Sequence, residues 1–258
     1  MTTLALKIAL TPVLILAASW AGRRWGEAIG GWLVGLPLTS GPIALFLALE
    51  HGTDFAAAAA AGSLGGALAQ ACFCIAYGRA ATRLRWPFAL ALGSAAFAVA
   101  AGALQAAQLS LPVLLPATLL ALALVLVLVP RGRLTSFDVL ALPRWDIPAR
   151  MAVATALVVG LTAAAPLLGP RLSGLLATFP VFATVLALFA HRLQGGAAAQ
   201  QVLWGLLLGL FAFAGFFLAL AVAIERVGIA GGFAIAIAAA LAIQGASLAM
   251  MRRARSGR

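Results

Sequence analysis

The amino-acid sequence predicts an all-α polytopic membrane protein with about nine transmembrane helices. Apolar residues make up 64% of the 258 positions, charged residues make up 9%, and the mean hydropathy is +1.12. Soluble domains contain about half apolar and about a quarter charged residues, so this chain is too apolar for that class. Long apolar runs and an internal repeat indicate how the helices are arranged.

Nine apolar runs approach the length of about 20 residues that a helix needs to cross a bilayer. Spans one to four form a first repeat, residues 1–108. Span five and a basic loop fill residues 109–143, and spans six to nine form a second repeat, residues 144–258. We expect span one to be retained rather than cleaved as a signal peptide, because its counterpart recurs inside the chain. The spans cover residues 3–21, 28–49, 55–77, 87–107, 111–130, 148–168, 171–190, 198–223 and 228–250.

The distribution of arginine predicts the orientation of the spans. If they alternate, 14 of the 17 lysine and arginine residues fall on one side, and only Lys7, Arg171 and Arg226 fall on the other. Basic residues accumulate on the cytoplasmic side of membrane proteins. We therefore expect the amino terminus outside and the carboxyl terminus in the cytoplasm. The same rule accounts for the net charge of +11. We therefore expect the lipid bilayer, and not nucleic acid, to be the partner of this basic chain.

The two repeats align without a gap, so that position 1 matches position 144 and position 115 matches position 258. We call this constant correspondence the repeat register. Six glycines coincide in it, more than chance predicts from 13 glycines in each 115-residue segment. Each repeat has four spans and span five lies between them, so the second repeat starts from the opposite side of the membrane. The sequence thus predicts two inverted repeats, a common plan of secondary transporters.

Prolines and hydroxyl residues interrupt spans two and seven near the membrane midplane, in VGLPLTSGP (34–42) and GLLATFPVFAT (174–184). Proline removes an amide donor and displaces the carbonyl four residues back, so Pro37 and Pro42 are expected to free the carbonyls of Leu33 and Leu38. Interrupted spans at matching positions of inverted repeats are typical of a transporter's substrate site. The alternative is a simple kink in each span. The predicted substrate-binding residues are Pro37, Thr39, Ser40, Pro42, Thr178, Pro180 and Thr184.

A few polar residues lie near the ends of the predicted spans. Glu50, His51 and Asp54 cluster at the outer end of span two, and His191 lies at the inner end of span seven. They form either a solvated loop or, alternatively, a charged vestibule or proton relay. Gln70 and Gln244 lie deeper, where amides bridge helices or contact a substrate.

Two G-x-x-x-G pairs, Gly62 with Gly66 and Gly205 with Gly209, predict close helix packing. The sequence leaves open whether they pack within the chain or in a homodimer. Cys72 and Cys74 are two residues apart on a predicted helix and point to different faces, which argues against a disulfide or a shared metal. We expect no cofactor and no metal site.

The sequence contains no motif that would hold a metal, a phosphate or an activated serine. An enzyme is therefore not expected. The predicted function is transport or export of a small neutral or zwitterionic solute by alternating access around the two broken helices. The alternative is a non-transporting membrane scaffold or accessory subunit that binds partners through its glycine faces.

The stretch SGLLATFPVFATVLALFAH, residues 173–191, resembles the small bacterial inner-membrane proteins called GlpM, which carry a similar G-L-x-x-x-F-P-x-F-A segment followed by a histidine. Those proteins are about one repeat long. In the first repeat Leu36 and Thr39 stand where Phe179 and Phe182 stand in the second. The resemblance implies a multi-pass protein of the bacterial cytoplasmic (inner) membrane.

Overall fold

The computed structural model describes residues 2–38, 40–130, 143 and 145–256. The fold is all-α, as predicted, and the described residues contain nine helices and no strand. The helices are α1 (Thr2–Trp25), α2 (Glu27–Val34), α3 (Ser40–His51), α4 (Thr53–Ala80), α5 (Trp86–Ala107), α6 (Leu111–Leu128), α7 (Asp146–Ala177), α8 (Val181–Gln194) and α9 (Gly196–Ser256).

Several helices are long and apolar enough to cross a membrane. Within the described residues these are Thr53–Ala80, Trp86–Ala107, Leu111–Leu128 and the stretch Gly196–Ala249. The nine helices do not match the nine predicted spans one to one, because proline and glycine divide the chain at other points. Span two is divided into α2 and α3, α7 continues from span six into span seven, and α9 contains spans eight and nine.

Single glycines connect four pairs of helical segments. Gly26, Gly52, Gly195 and Gly228 have φ values of 100°, 86°, 92° and 73°, in a region that side chains with a Cβ rarely occupy. A Cβ on Gly215 would contact the side chain of Ile243, so α9 folds back on itself at Gly228. We call its two antiparallel parts α9N (196–227) and α9C (229–256).

Helix boundaries recur in the repeat register. Two matching pairs are helix ends: α2 and α7 end at Val34 and Ala177, and α3 and α8 end at His51 and Gln194. Two matching pairs are helix starts: α4 and α9 start at Thr53 and Gly196, and α5 and α9C start at positions 86 and 229. The correspondence read from the sequence therefore extends to the ends of the helices.

Two pairs of helices whose positions match in the repeat register pack antiparallel, α4 with α9N and α1 with α7. The Gln200 side chain at the start of α9N donates a 2.9 Å hydrogen bond to the carbonyl of Gly78 at the end of α4. Arg23 at the end of α1 contacts Asp146 at the start of α7. The core around α4 and α9N is rich in alanine and leucine, and these small and medium side chains let the helices approach closely.

Candidate functional site

The first interruption lies between α2 and α3 and has a defined backbone structure. The Leu36 amide donates to the Leu33 carbonyl at 3.2 Å, the Leu38 amide to the Leu36 carbonyl at 2.8 Å, and the Gly41 amide to the Pro37 carbonyl at 2.8 Å. The expectation that Pro37 frees the Leu33 carbonyl was therefore wrong. The chain tightens its last helical turn, and this supplies the carbonyl with a new donor.

The second interruption, between α7 and α8, repeats this hydrogen-bond pattern. The Val181 amide donates to the Phe179 carbonyl at 2.8 Å, and the Thr184 amide to the Pro180 carbonyl at 2.9 Å. Pro180 has φ −78° and ψ 65°, the conformation of an inverse γ-turn. The donors and acceptors of both bonds match their counterparts in the first interruption in the repeat register.

The two interruptions lie next to each other in the molecule. Leu36 and Leu38 from the first and Phe182 from the second line one cavity of about 60 Å³. Its remaining described lining comes from α1 and α2 and is also apolar: Leu14, Ala17, Ala18, Leu33 and Val34. A cavity of this size and lining favours small apolar groups over charged ones.

The predicted polar ligands occupy different environments around this cavity. Thr39 lies outside the described residues, and Ser40 is a half-buried first residue of α3. Thr178 packs against Gly66, where an added Cβ would lie 3.1 Å from the threonine side chain. Thr184 is buried, and its Oγ1 has no hydrogen-bond partner among the described residues. The Ser19 hydroxyl is likewise buried without such a partner, and neither Thr184 nor Ser19 is among the described residues that line the cavity.

Two glutamine side chains bind the backbone near the interruptions from the opposite repeat. Gln70 donates to the Thr178 carbonyl at 3.4 Å, and Gln244 donates to the Trp32 carbonyl at 3.1 Å. Both residues therefore bridge helices, which was one of the two roles considered from the sequence. These bonds satisfy carbonyls whose helical partners end at the interruptions.

The glycine pairs differ in their packing. Gly205 and Gly209 on α9N contact α2, and a Cβ on Gly209 would lie 2.6 Å from the Trp32 carbonyl oxygen and 2.7 Å from the Gly35 Cα. A Cβ on Gly62 would meet no atom of the described residues within 4 Å, so Gly62 does not make the predicted close packing with this part of the chain. The partner of the α9N pair is Gly31-x-x-x-Gly35 on α2, a pair that the sequence analysis did not identify.

A buried charged cluster lies where α1, α2, α7 and α8 end or begin. Asp146 binds Arg23 at 2.9 Å and Arg150 at 2.8 Å, and the Asp146 and Arg150 side chains are 0% and 2% exposed. The Arg150 guanidinium also lies over the Phe189 ring, 5.4 Å from its centroid. We call this part of the molecule, which also carries Arg192, the arginine-rich end.

Glu27 belongs to the same cluster. Its Oε1 accepts a 2.6 Å hydrogen bond from Gln194, and only 6% of the residue is exposed. Burial raises the pKa of the Glu27 carboxyl above its ordinary value of 4.5, and the nearby Arg150 opposes this effect. The sequence analysis did not identify this cluster, because its partners lie in different repeats, far apart along the chain.

The predicted vestibule residues lie at opposite ends of the helices. Glu50, His51 and Asp54 are exposed around the Gly52 turn, and His51 packs its ring on Phe55. His191 is buried at the arginine-rich end, where its Nδ1 lies 3.3 Å from the Tyr77 hydroxyl. Among the described residues, Cys72 and Cys74 are free thiols, and His, Cys, Asp and Glu form no group of three that would hold a metal.

Comparison with protein-family models, with characterised proteins and with solved structures found no match to this chain. The resemblance to the GlpM proteins therefore stays a prediction from the sequence.

Proposed function

We propose that this protein is a membrane transporter of a small neutral or zwitterionic solute that works by alternating access. The observation that carries the proposal is the pair of helix interruptions, which have matching hydrogen bonds and line one cavity. Interrupted helices of this kind place backbone groups next to a substrate near the centre of the bilayer.

The proposal includes nine membrane passes in two inverted repeats. Antiparallel packing of α1 on α7 and of α4 on α9N supports it, because an axis in the membrane plane reverses the direction of each helix. One contact is also repeated in the repeat register. Gly66 packs on Thr178 in the same way that Gly209 packs on Gly35.

The charged cluster acts as the closed gate of this transporter. Arg23 and Glu27 come from the first repeat, and their partners Asp146 and Gln194 come from the second. These contacts hold the two repeats together at the arginine-rich end, which the positive-inside rule assigns to the cytoplasm. Opening toward that side requires the contacts to separate.

The lining of the cavity supports an uncharged ligand. Its described residues carry no ionisable side chain, and a buried charge without a partner is costly. The backbone of the two interruptions supplies the polar contacts. A zwitterion would need both of its charges neutralised by such dipoles.

The second candidate is a membrane scaffold without transport activity. It is favoured by the small volume of the cavity between the interruptions, about 60 Å³, and by its apolar lining. A scaffold would keep this region closed to water on both sides.

Cysteine accessibility separates the two candidates. In a variant with Cys72→Ala and Cys74→Ala, single cysteines at Ser40 and Thr178 are treated with a membrane-impermeant maleimide from each side. A transporter exposes both positions to each side in turn, and disulfide locking of Arg23→Cys to Asp146→Cys should abolish labelling from the cytoplasm. Absence of labelling from both sides, with a control cysteine at exposed Glu50 labelled normally, contradicts transport through this site.

A further inference from the structure

A second cavity, of about 370 Å³, lies between the first interruption and α9. Every residue of its described lining is apolar, including Leu36 and Pro37 from the interruption and Phe216 and Ala240 from α9. Its volume falls within the range of about 300 to 1,000 Å³ that is usual for ligand pockets.

The region that matches this cavity in the repeat register lies beside the second interruption and is filled by aromatic rings. In the repeat register, Leu36, Phe216 and Ala240 match Phe179, Phe73 and Phe97. Phe179 packs edge-on against both other rings, with centroid distances of 6.0 Å to Phe73 and 5.3 Å to Phe97. The cavity therefore exists beside the first interruption because leucine and alanine replace two of the three phenylalanines.

At the outer surface, the side chains that line the cavity are larger than those at the matching positions. Ile237 and Leu241 of α9C replace the smaller Ser94 and Ala98, and they are 50% and 63% exposed. They place the cavity mouth on the outward face of an apolar helix. If α9C crosses the bilayer, this face contacts lipid hydrocarbon.

We propose that this cavity binds an acyl chain of a bilayer lipid beside the first interruption. Its mouth is continuous with the lipid-facing surface, and its lining offers no partner to a charged or strongly polar ligand. A hydrocarbon chain fills such a space without leaving a polar group unpaired. The inference rests on membrane insertion and holds whether or not the protein transports a solute.

Photolabelling tests the proposal on the full chain. The protein is reconstituted into phosphatidylcholine vesicles containing a phosphatidylcholine with a diazirine in the middle of one acyl chain, and labelled residues are mapped by mass spectrometry. We expect strong labelling of Phe216, which is 3% exposed and lines the cavity. Ala240→Phe should reduce this labelling several-fold and leave labelling of Val99, which is 73% exposed, unchanged.

A matched variant tests the asymmetry between the repeats. Phe97→Ala should open a matching space beside the second interruption and increase labelling at Phe73. If Ala240→Phe does not fold, as judged by its helical circular dichroism, Leu36→Phe fills the cavity from its other wall.

Three results would overturn the proposal. The first is wild-type labelling of Phe216 no stronger than labelling of the fully buried Leu64. The second is unchanged labelling in a folded cavity-filling variant. The third is labelling by a diazirine fatty acid added from water but not by the lipid, which would assign the cavity to a soluble amphiphile.

Discussion

The Glu27 carboxyl is buried among charged groups from neighbouring helices. Arg23 lies on α1, Asp146 and Arg150 on α7, and the neutral donor Gln194 on α8. Burial disfavours the ionised form of Glu27 more than the arginines favour it, and this raises the pKa of its carboxyl. The folded protein therefore holds a proton on Glu27 more strongly than the unfolded chain does. Protonation of Glu27 is thus linked to the stability of the arginine-rich end.

This linkage predicts a pH dependence of unfolding. A raised pKa in the folded state stabilises the fold at pH values below the ordinary carboxyl pKa. This contribution is lost as pH rises through the pKa of the folded state. As pH rises from the ordinary carboxyl pKa through the raised pKa of the folded state, the wild type should lose stability relative to Glu27→Gln, which cannot ionise. Thermal unfolding in detergent, followed by tryptophan fluorescence, measures the difference. Parallel pH profiles for the two proteins would contradict the linkage.

Asp146 is fully buried and pairs with the buried Arg150 and with Arg23, whose side chain is 29% exposed. Asp146→Asn removes this charge and leaves Arg150 buried without a carboxylate, which should lower the free energy of unfolding by about 3–5 kcal/mol. The same unfolding measurement tests it. A double variant, Asp146→Leu with Arg150→Met, removes the buried pair and should recover much of the loss. An unfolding temperature of Asp146→Asn equal to that of the wild type would contradict a stabilising role of the buried pair.

The positions of the two interruptions could be predicted from the sequence because their cause is local. Pro37 and Pro180 interrupt their own helices, because each lacks an amide hydrogen, and the interruptions lie at the predicted positions. Glu27 and Asp146 acquire their environment only when distant helices meet. Local sequence does not contain that information, so the charged cluster was missed.

At the level of helices, the contact between α2 and α9N depends on glycine. The two G-x-x-x-G pairs, Gly31 with Gly35 and Gly205 with Gly209, let the two backbones approach until an added Cβ would overlap the other helix. Such contacts hold helices together through van der Waals packing, in the absence of a hydrophobic driving force inside the bilayer.

Paired alanine substitutions test this contact. Gly209→Ala should destabilise the protein by about 1–3 kcal/mol, because the new methyl group would overlap the Trp32 carbonyl and the Gly35 backbone. Gly62→Ala is the control, since its methyl group meets open space and alanine favours a helix by about 0.5–1 kcal/mol. Equal effects of the two substitutions on the unfolding temperature in detergent would contradict the role assigned to Gly209.

The motif predicted close approach but could not identify which glycines make it. Gly62 and Gly66 fit the pattern as well as Gly205 and Gly209 do, yet Gly62 meets no neighbour. The orientation of a helix about its own axis decides this. That orientation depends on all helices packed around it.

Over the whole molecule, the repeat register relates helix boundaries, hydrogen bonds and contacts. The match extends beyond sequence similarity, because aligned residues with different side chains form the same backbone bonds. Leu38 and Val181, and Gly41 and Thr184, are such pairs. The proposed inverted arrangement explains this match together with the antiparallel packing.

Reporter fusions test the proposed inversion. Gly52 and Gly195 occupy matching turns, and inverted repeats place them on opposite sides of the membrane. A periplasmic reporter and a cytoplasmic reporter, each fused after residue 52 and after residue 195, should therefore give opposite activities at the two sites. Equal activities at both sites would contradict inversion, and a fusion after Leu128 provides an independent cytoplasmic reference.

The all-α class followed directly from composition, since hydrocarbon allows few other ways to satisfy the backbone. The correspondence between spans and helices was less accurate, because a long apolar run does not reveal where it bends. The apolar character of the two cavities also escaped prediction. Hydroxyl residues in the interrupted segments suggested a polar lining, but the volume is bounded by side chains from other helices.

The one-residue reversals at Gly26, Gly52, Gly195 and Gly228 leave almost no extended peptide between the helices they join. Proteases need several residues of accessible strand-like chain, so we expect vesicle-embedded protein to resist cleavage at these four points. Antibodies raised against linear epitopes should likewise fail there. A molecule acting on these surfaces from water would have to recognise the ends of helices.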